Sequence, residues 1–179
     1  ITSAGGAYAV GFRADGTAVF GKPQLTMLLQ GAGHSVQVEN FNKTRSSYTV
    51  NLYDHNWGEQ TRIDSLGTNV LLEKLEDTDP YLGCSIRLRV VSVTETAEST
   101  PLAANQMLLT IAATGDATKV AVFKVGDELT FSVGVDDSRW QEVVYAVGGK
   151  SLLLNGAAAV DDTPTGNSAR TAIGFKPDG

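Results

Sequence analysis

Three acidic groupings bring carboxylates close enough in sequence to share a site: Asp136 with Asp137, Asp161 with Asp162, and the run Glu76, Asp77, Thr78, Asp79. Paired carboxylates can transfer protons or hold a hard cation, but solvated loops carry such pairs too, and Asp136 and Asp137 also suit a helix N-terminus. No one acid stands out as catalytic. Asn42, Arg45, Tyr53 and Trp57 make a second set. An aromatic face stacks on a pyranose and a guanidinium binds an anion, so these four read as a sugar-facing surface; the alternative is that the aromatics are partly buried loop anchors. His55, lying among them, reads as a loop residue. Taken alone, Arg170 and Thr171 read as a strand-edge ion pair and a strand threonine.

The metal-binding repertoire is narrow. Two histidines, His34 and His55, and the single Cys84 exclude a Cys/His zinc site. Cys84 adjoins an apolar strand and reads as a small core thiol. No cofactor is expected, while a metal held by oxygen ligands stays open. Asn42, Lys43 and Thr44 spell a glycosylation sequon, a pattern common by chance.

Positioning these residues falls to short strands. Ala7 to Phe12 and Thr17 to Gly21 flank Asp15-Gly16, a strand-turn-strand signal because glycine supplies the positive φ that hairpin turns favour. Residues 24–30 and 35–39 form a second hairpin around Gly31, Ala32 and Gly33. Further strands are expected over 47–53, 69–75, 85–93 and 107–113. The third of these alternates Ile86, Leu88 and Val90 with Arg87 and Arg89, the period of a half-buried strand. A short helix is expected within 116–124. A second is expected over 138–147, where Trp140, Val143, Val144 and Val147 share a stripe, Ser138 and Gln141 fit a capping box, and Gly148-Gly149 supply the stop. Asn155-Gly156 reads as a hairpin turn. The fold class is therefore α+β: β-rich, with mainly antiparallel strands and hairpins plus one or two short helices.

With 179 residues, 42% hydrophobic, the chain can bury one sizeable core. The net charge of -6 argues against nucleic acid, whose binding draws on clustered Lys and Arg. No apolar run approaches the roughly 18 residues of a membrane span, so membrane insertion by this segment is not expected. The first residues, Ile1 to Ala4, lack the basic and apolar regions of a signal peptide, which places any targeting signal outside this piece.

An internal echo links the two ends. Ala9, Val10, Gly11, Phe12, Arg13, Ala14, Asp15, Gly16 match Ala172, Ile173, Gly174, Phe175, Lys176, Pro177, Asp178, Gly179 in character at nearly every position. In the first copy a return strand follows the Asp-Gly turn. The second stops on the turn glycine, from which the chain is expected to be an internal piece of a larger domain.

The segment Ala169 to Phe175 followed by Asp178-Gly179 resembles the Arg-Thr-Ala-Ile-Gly strand of the phosphodiester glycosidases related to the uncovering enzyme of lysosomal sorting. Val147-Gly148-Gly149 and Leu152 to Gly156 are similar to that family's glycine pair and Asn-Gly turn. The stretch from Tyr8 to Pro23, and Asn42 to Arg45 leading to Leu52-Tyr53, are similar to bacterial members. The resemblance implies hydrolysis of a sugar-1-phosphodiester by the intact protein, the isolated piece being inactive because family motifs fall outside both ends. It also implies an extracellular or cell-envelope location and a sugar-phosphate or envelope-polysaccharide partner. Arg170 would then fork onto phosphate oxygens, Thr171 would add a hydroxyl, and Gly148, Gly149, Asn155 and Gly156 would let backbone approach the ligand. On this reading residues 1–179 are one incomplete domain, with 24–113 a lineage-specific elaboration. The alternatives are a non-catalytic carbohydrate or envelope-polymer binding module, and a structural module that self-associates through strand edges.

Overall fold

The computed structural model describes residues 8–149, 153–154, 157–158 and 174. It is β-rich and mainly antiparallel, with one short helix and two 3-10 turns among the described residues. The chain divides into two compact units, one comprising Leu25–Asp136 and the other the described parts of Gly6–Gln24 and Asp137–Gly179. No described helix is long and apolar enough to cross a membrane.

In the second unit, β1 (Tyr8–Arg13) pairs with β2 (Ala18–Gly21) through the Asp15-Gly16 turn. Gly16 sits at φ +84°, and the Asp15 carboxylate accepts from both the backbone N–H and the hydroxyl of Thr17 at 2.9 and 2.7 Å. These bonds hold the Asp15 carboxyl below its ordinary range. On its other side β1 pairs antiparallel with β11 (Val143–Gly149), giving the order β11-β1-β2.

β11 corrects the helix expected over 138–147. Only Ser138–Trp140 turns, as a single 3-10 turn, and it is capped by Asp137, which accepts from Arg139 N–H at 3.0 Å, and not by Ser138. The apolar spacing of Trp140, Val143, Val144 and Val147 fits a helix stripe, but three of the four are β-branched, and β1 offers Val143 and Val147 strand partners in Arg13 and Val10. Trp140 is buried, and a Cβ on Gly11 would collide with its ring and with Val143, so the glycine is needed for that close approach. Gly148 and Gly149 consequently end a strand, opposite Ala9 and Tyr8, and do not stop a helix. Farther along, β12 (Leu153–Leu154) pairs with β13 (Ala157–Ala158).

The Leu25–Asp136 unit is one eight-stranded sheet in the order β4-β3-β10-β8-β7-β9-β6-β5. β3 (Leu25–Gly31) and β4 (His34–Val38) form the expected hairpin, with Ala32 and Gly33 both at positive φ, the geometry of a type I′ turn. β5 (Asn40–Phe41) and β6 (Asn51–Asp54) pair parallel; β6 begins at Asn51 and not at the expected Ser47. β7 (Gly67–Lys74), β8 (Ser85–Thr96) and β9 (Gln106–Ala112) form the centre of the sheet, with β7 between the other two. α1 (Thr118–Ala121) is the short helix expected within 116–124 and presents the buried Val120.

β10 (Glu128–Val135) was not foreseen, though Leu129, Phe131 and Val133 alternate as a half-buried strand requires. It pairs with β3 on one side and β8 on the other. The main core lies on one face: Met27, Leu29, Leu52, Val70, Ile86, Leu88, Met107, Leu109 and Phe131 are all fully buried. Phe41 on edge strand β5 stacks on Phe131 with centroids 6.1 Å apart, although β5 and β10 are well separated in the strand order. The sheet must therefore curl over its core. Removing the Phe131 ring leaves a cavity at this closure, and Phe131→Ala is expected to lower unfolding free energy by about 3–5 kcal/mol in a denaturant titration. A loss below 1 kcal/mol would show that the closure does not carry the core.

Candidate functional site

All four residues of β6 are buried, and two of them, Asn51 and Asp54, are polar. A buried polar group survives only when its hydrogen bonds are met, and the two are met on different faces.

Asp54 begins the 3-10 turn His55–Trp57 as its cap. Its Oδ1 accepts from Asn56 N–H at 2.9 Å and from Asn42 Nδ2 at 2.7 Å, and Asn42 Oδ1 in return accepts the Asp54 N–H at 3.0 Å. Asn42 reaches this position from a left-handed backbone, φ +45°, which asparagine tolerates better than most residues. Asn56 Nδ2 lies 3.3 Å from the second carboxylate oxygen. Every donor the structure gives Asp54 is neutral.

Across from this cap, Lys74 at the end of β7 has a side chain only 2% exposed, and its Nζ donates to Asp79 Oδ1 at 2.8 Å. That hydrogen bond comes first among the influences holding the Asp79 carboxyl below its ordinary range; burial opposes it, and the Lys74 charge, His55 and Asn56 reinforce it. His55 Nδ1 is 4.0 Å from Asp79 Oδ1, is sealed from solvent, and has no hydrogen-bond partner. Asp54, His55 and Asp79 each bring one potential ligand atom to within 4.8 Å of the others. They are the three-residue His/Asp/Glu grouping that the described residues offer to a metal.

The other face of β6 is a wedge. Tyr53 is 1% exposed; its hydroxyl donates to the Lys43 carbonyl at 2.8 Å and its ring lies 5.6 Å from Trp57, tilted by 43°. Trp57 Nε1 donates to the Thr61 carbonyl at 3.2 Å. Arg45 Nη1 donates to Thr110 Oγ1 at 3.1 Å, and Nη2 to the Ser65 carbonyl and, at 2.8 Å, to its hydroxyl. Thr110 in turn donates to Asn69 Oδ1, while Asn69 Nδ2 has no protein partner. Burial lowers the Arg45 pKa and raises that of Tyr53, and each residue's charge partly offsets the other's shift.

Of the four residues read as a sugar-facing surface, Asn42 therefore belongs to the Asp54 cap, whereas Arg45, Tyr53 and Trp57 anchor a loop to the sheet. With its ring buried, Tyr53 has no face to stack on a pyranose. Gly148 and Gly149 are exposed at the end of β11. Asn155, Gly156, Arg170 and Thr171 lie outside the described residues, as do Asp161 and Asp162. Asp137 is committed to Arg139, Nη2 to Oδ2 at 2.6 Å. Sequence reading passed over Asp54 and Lys74.

No protein-family model and no curated protein matches the chain. Among solved structures it is similar to a hypothetical protein from Synechocystis, with a TM-score of 0.67 and 14% identity over 87% of this chain and 28% of that one. It is also similar to the "Putative exported protein" of Burkholderia pseudomallei K96243, with a TM-score of 0.50 and 13% identity over 75% of this chain and 31% of that one. The chain thus spans about a third or less of either neighbour's length, and the likeness is one of fold.

Two outcomes test the wedge. Tyr53 has a folded-state pKa above the ordinary 10.0, so its contribution is intact below pH 10 and fades as pH rises through the folded value. Tyr53→Phe should lose about 1 kcal/mol near pH 8, from the missing hydrogen bond, and should fall less steeply than wild type between pH 9 and 11 in urea titrations. Parallel curves would remove Tyr53 as the alkaline weak point. Separately, a Cβ at Gly67 would collide with the Arg45 guanidinium and the Ile111 carbonyl. Gly67→Ala should lower the melting temperature by several degrees, about 1–3 kcal/mol in stability, and an unchanged melting curve would show that Arg45 does not occupy this place.

Proposed function

We propose that the intact protein hydrolyses a sugar-1-phosphodiester, in the manner of the phosphodiester glycosidases, and that this chain contributes part of that domain. The observation that carries the reading is where the resembling residues fall. The stretch from Tyr8 to Pro23 supplies β1 and β2, and Val147-Gly148-Gly149 ends β11. Though far apart in sequence, these pieces are neighbours in one sheet, with Gly148 opposite Ala9 and Gly149 opposite Tyr8. Segments of one domain should meet in this way, and the intervening Leu25–Asp136 packs as a unit of its own.

The chemistry sets what the intact site requires. Breaking a glycosidic bond to phosphate develops positive charge on the sugar and negative charge on the leaving phosphate, so cationic donors around the phosphate lower the barrier. Arg170 is the proposed fork on the phosphate oxygens and Thr171 a supporting hydroxyl. Gly148 and Gly149, and beyond them Asn155 and Gly156, are proposed to let backbone N–H groups approach the ligand. The Burkholderia neighbour's description as an exported protein supports placing this activity outside the cell or at its envelope.

Release of N-acetylglucosamine from UDP-N-acetylglucosamine and from synthetic sugar-1-phosphodiesters tests the reading on the full-length protein. Turnover is expected, with Arg170→Ala lowering kcat/KM by about 100-fold, the cost of one lost donor to a developing charge. A folded full-length protein that turns over none of these substrates would redirect the assignment to a carbohydrate-binding module, which would retain ligand affinity without hydrolysis.

A further inference from the structure

The Leu25–Asp136 unit contains a charge arrangement that neither the glycosidase reading nor its motifs use. Asp54 and Asp79 bring two carboxylates, and Lys74 supplies one ammonium, already bonded to Asp79. One negative charge is left over. It sits beside Asp54, a residue 2% exposed whose donors are the neutral Asn42 and Asn56. A buried carboxylate without a counter-charge is costly.

A second observation points to a cation beside it. His55 Nδ1, a sealed atom with no hydrogen-bond partner, belongs to a ring whose side chain is otherwise 30% exposed. Its 4.0 Å separation from Asp79 Oδ1 is too long for a hydrogen bond, and an imidazolium facing a carboxylate would close to about 2.7–2.9 Å. A cation bound about 2.0–2.2 Å from each ligand atom sets those atoms roughly 3–4 Å apart. The three candidate ligand atoms already lie within 4.8 Å of one another, close to that spacing, and Asp79 is half-exposed.

We propose that Asp54, His55 Nδ1 and Asp79 form a divalent-cation site that ties the His55–Trp57 turn to the segment between β7 and β8. One imidazole and two carboxylates suit Zn2+ or Mn2+, with water completing the shell; Ca2+, which takes six to eight oxygens, is disfavoured by the nitrogen. The role follows from the connection. Asp79 lies in the connection after β7, and a bound ion joins it to the strand end that Asn42 and Asp54 already brace.

The test is calorimetric titration of the EDTA-stripped, dialysed chain with ZnCl2, MnCl2 and CaCl2. Saturable 1:1 binding of Zn2+ or Mn2+, with little of Ca2+, is expected, together with a concentration-dependent rise in melting temperature. The chain has two histidines, so His34→Ala is the control and should bind as wild type does. His55→Ala and Asp79→Asn should each weaken binding at least tenfold; asparagine keeps an oxygen for Lys74, and circular dichroism checks that both variants remain folded. Absence of saturable binding would overturn the proposal. So would binding that survives in both folded variants, or binding lost in His34→Ala instead.

Discussion

The larger unit depends on β10. Its backbone bonds to β3 and to β8 join the β3–β4 hairpin to the central strands β8, β7 and β9, and its apolar alternation places Phe131 where edge strand β5 closes over the core. Without a strand in that position the β3–β4 hairpin would have no sheet to extend, and Phe41 would lose the ring it stacks on. Chain order makes the requirement stricter. β10 comes late in the unit yet pairs with its first strand, so the sheet is complete only when distant segments have met.

That closure buries one face of β6, and a second apolar cluster buries the other. One face turns Leu52 into the main core; the other packs Tyr53 against Ile63 and Leu108. Asn51 and Asp54 are carried inside with them and must find partners locally. Asn51 donates to the Lys43 carbonyl at 3.1 Å, which also accepts from Tyr53, while Asp54 and Asn42 satisfy each other. The loop before β6 is thus fixed by hydrogen bonds on both sides of the strand. Asn42 and Arg45, three residues apart in that loop, serve opposite faces, which is why they do not converge on one ligand.

What the sequence disclosed follows the strength of its local signals. Asp15-Gly16 and Ala32-Gly33 each demand positive φ between apolar runs, and both hairpins stand where that chemistry puts them. The strict alternation from Ile86 to Val90 marks β8 for the same reason. Val143, Val144 and Val147 misled because a four-residue apolar spacing fits both a helix stripe and a strand, and the deciding factor, the free edge of β1, lies about 130 residues away in sequence. Of the site, Asn42 and Asp79 carried a legible polar signal. Asp54 and Lys74 did not, because their burial results from pairings between strands and from no pattern in their own neighbourhood.

The two units are held by different forces. In the three-stranded sheet, glycines set the spacing: Gly11 lies where Trp140 and Val143 leave no room for a side chain, and Gly148 and Gly149 give β11 a bare end opposite Ala9 and Tyr8. In the eight-stranded sheet the polar residues are instead enclosed and mutually bonded, and the atoms left without partners, His55 Nδ1 and Asn69 Nδ2, lie inside those networks. Asn69 Nδ2 is a neutral amide donor beside Thr110, a position buried water can satisfy. His55 Nδ1 faces two carboxylates of which only Asp79 has an ammonium partner, and a neutral water there would leave the excess negative charge in place.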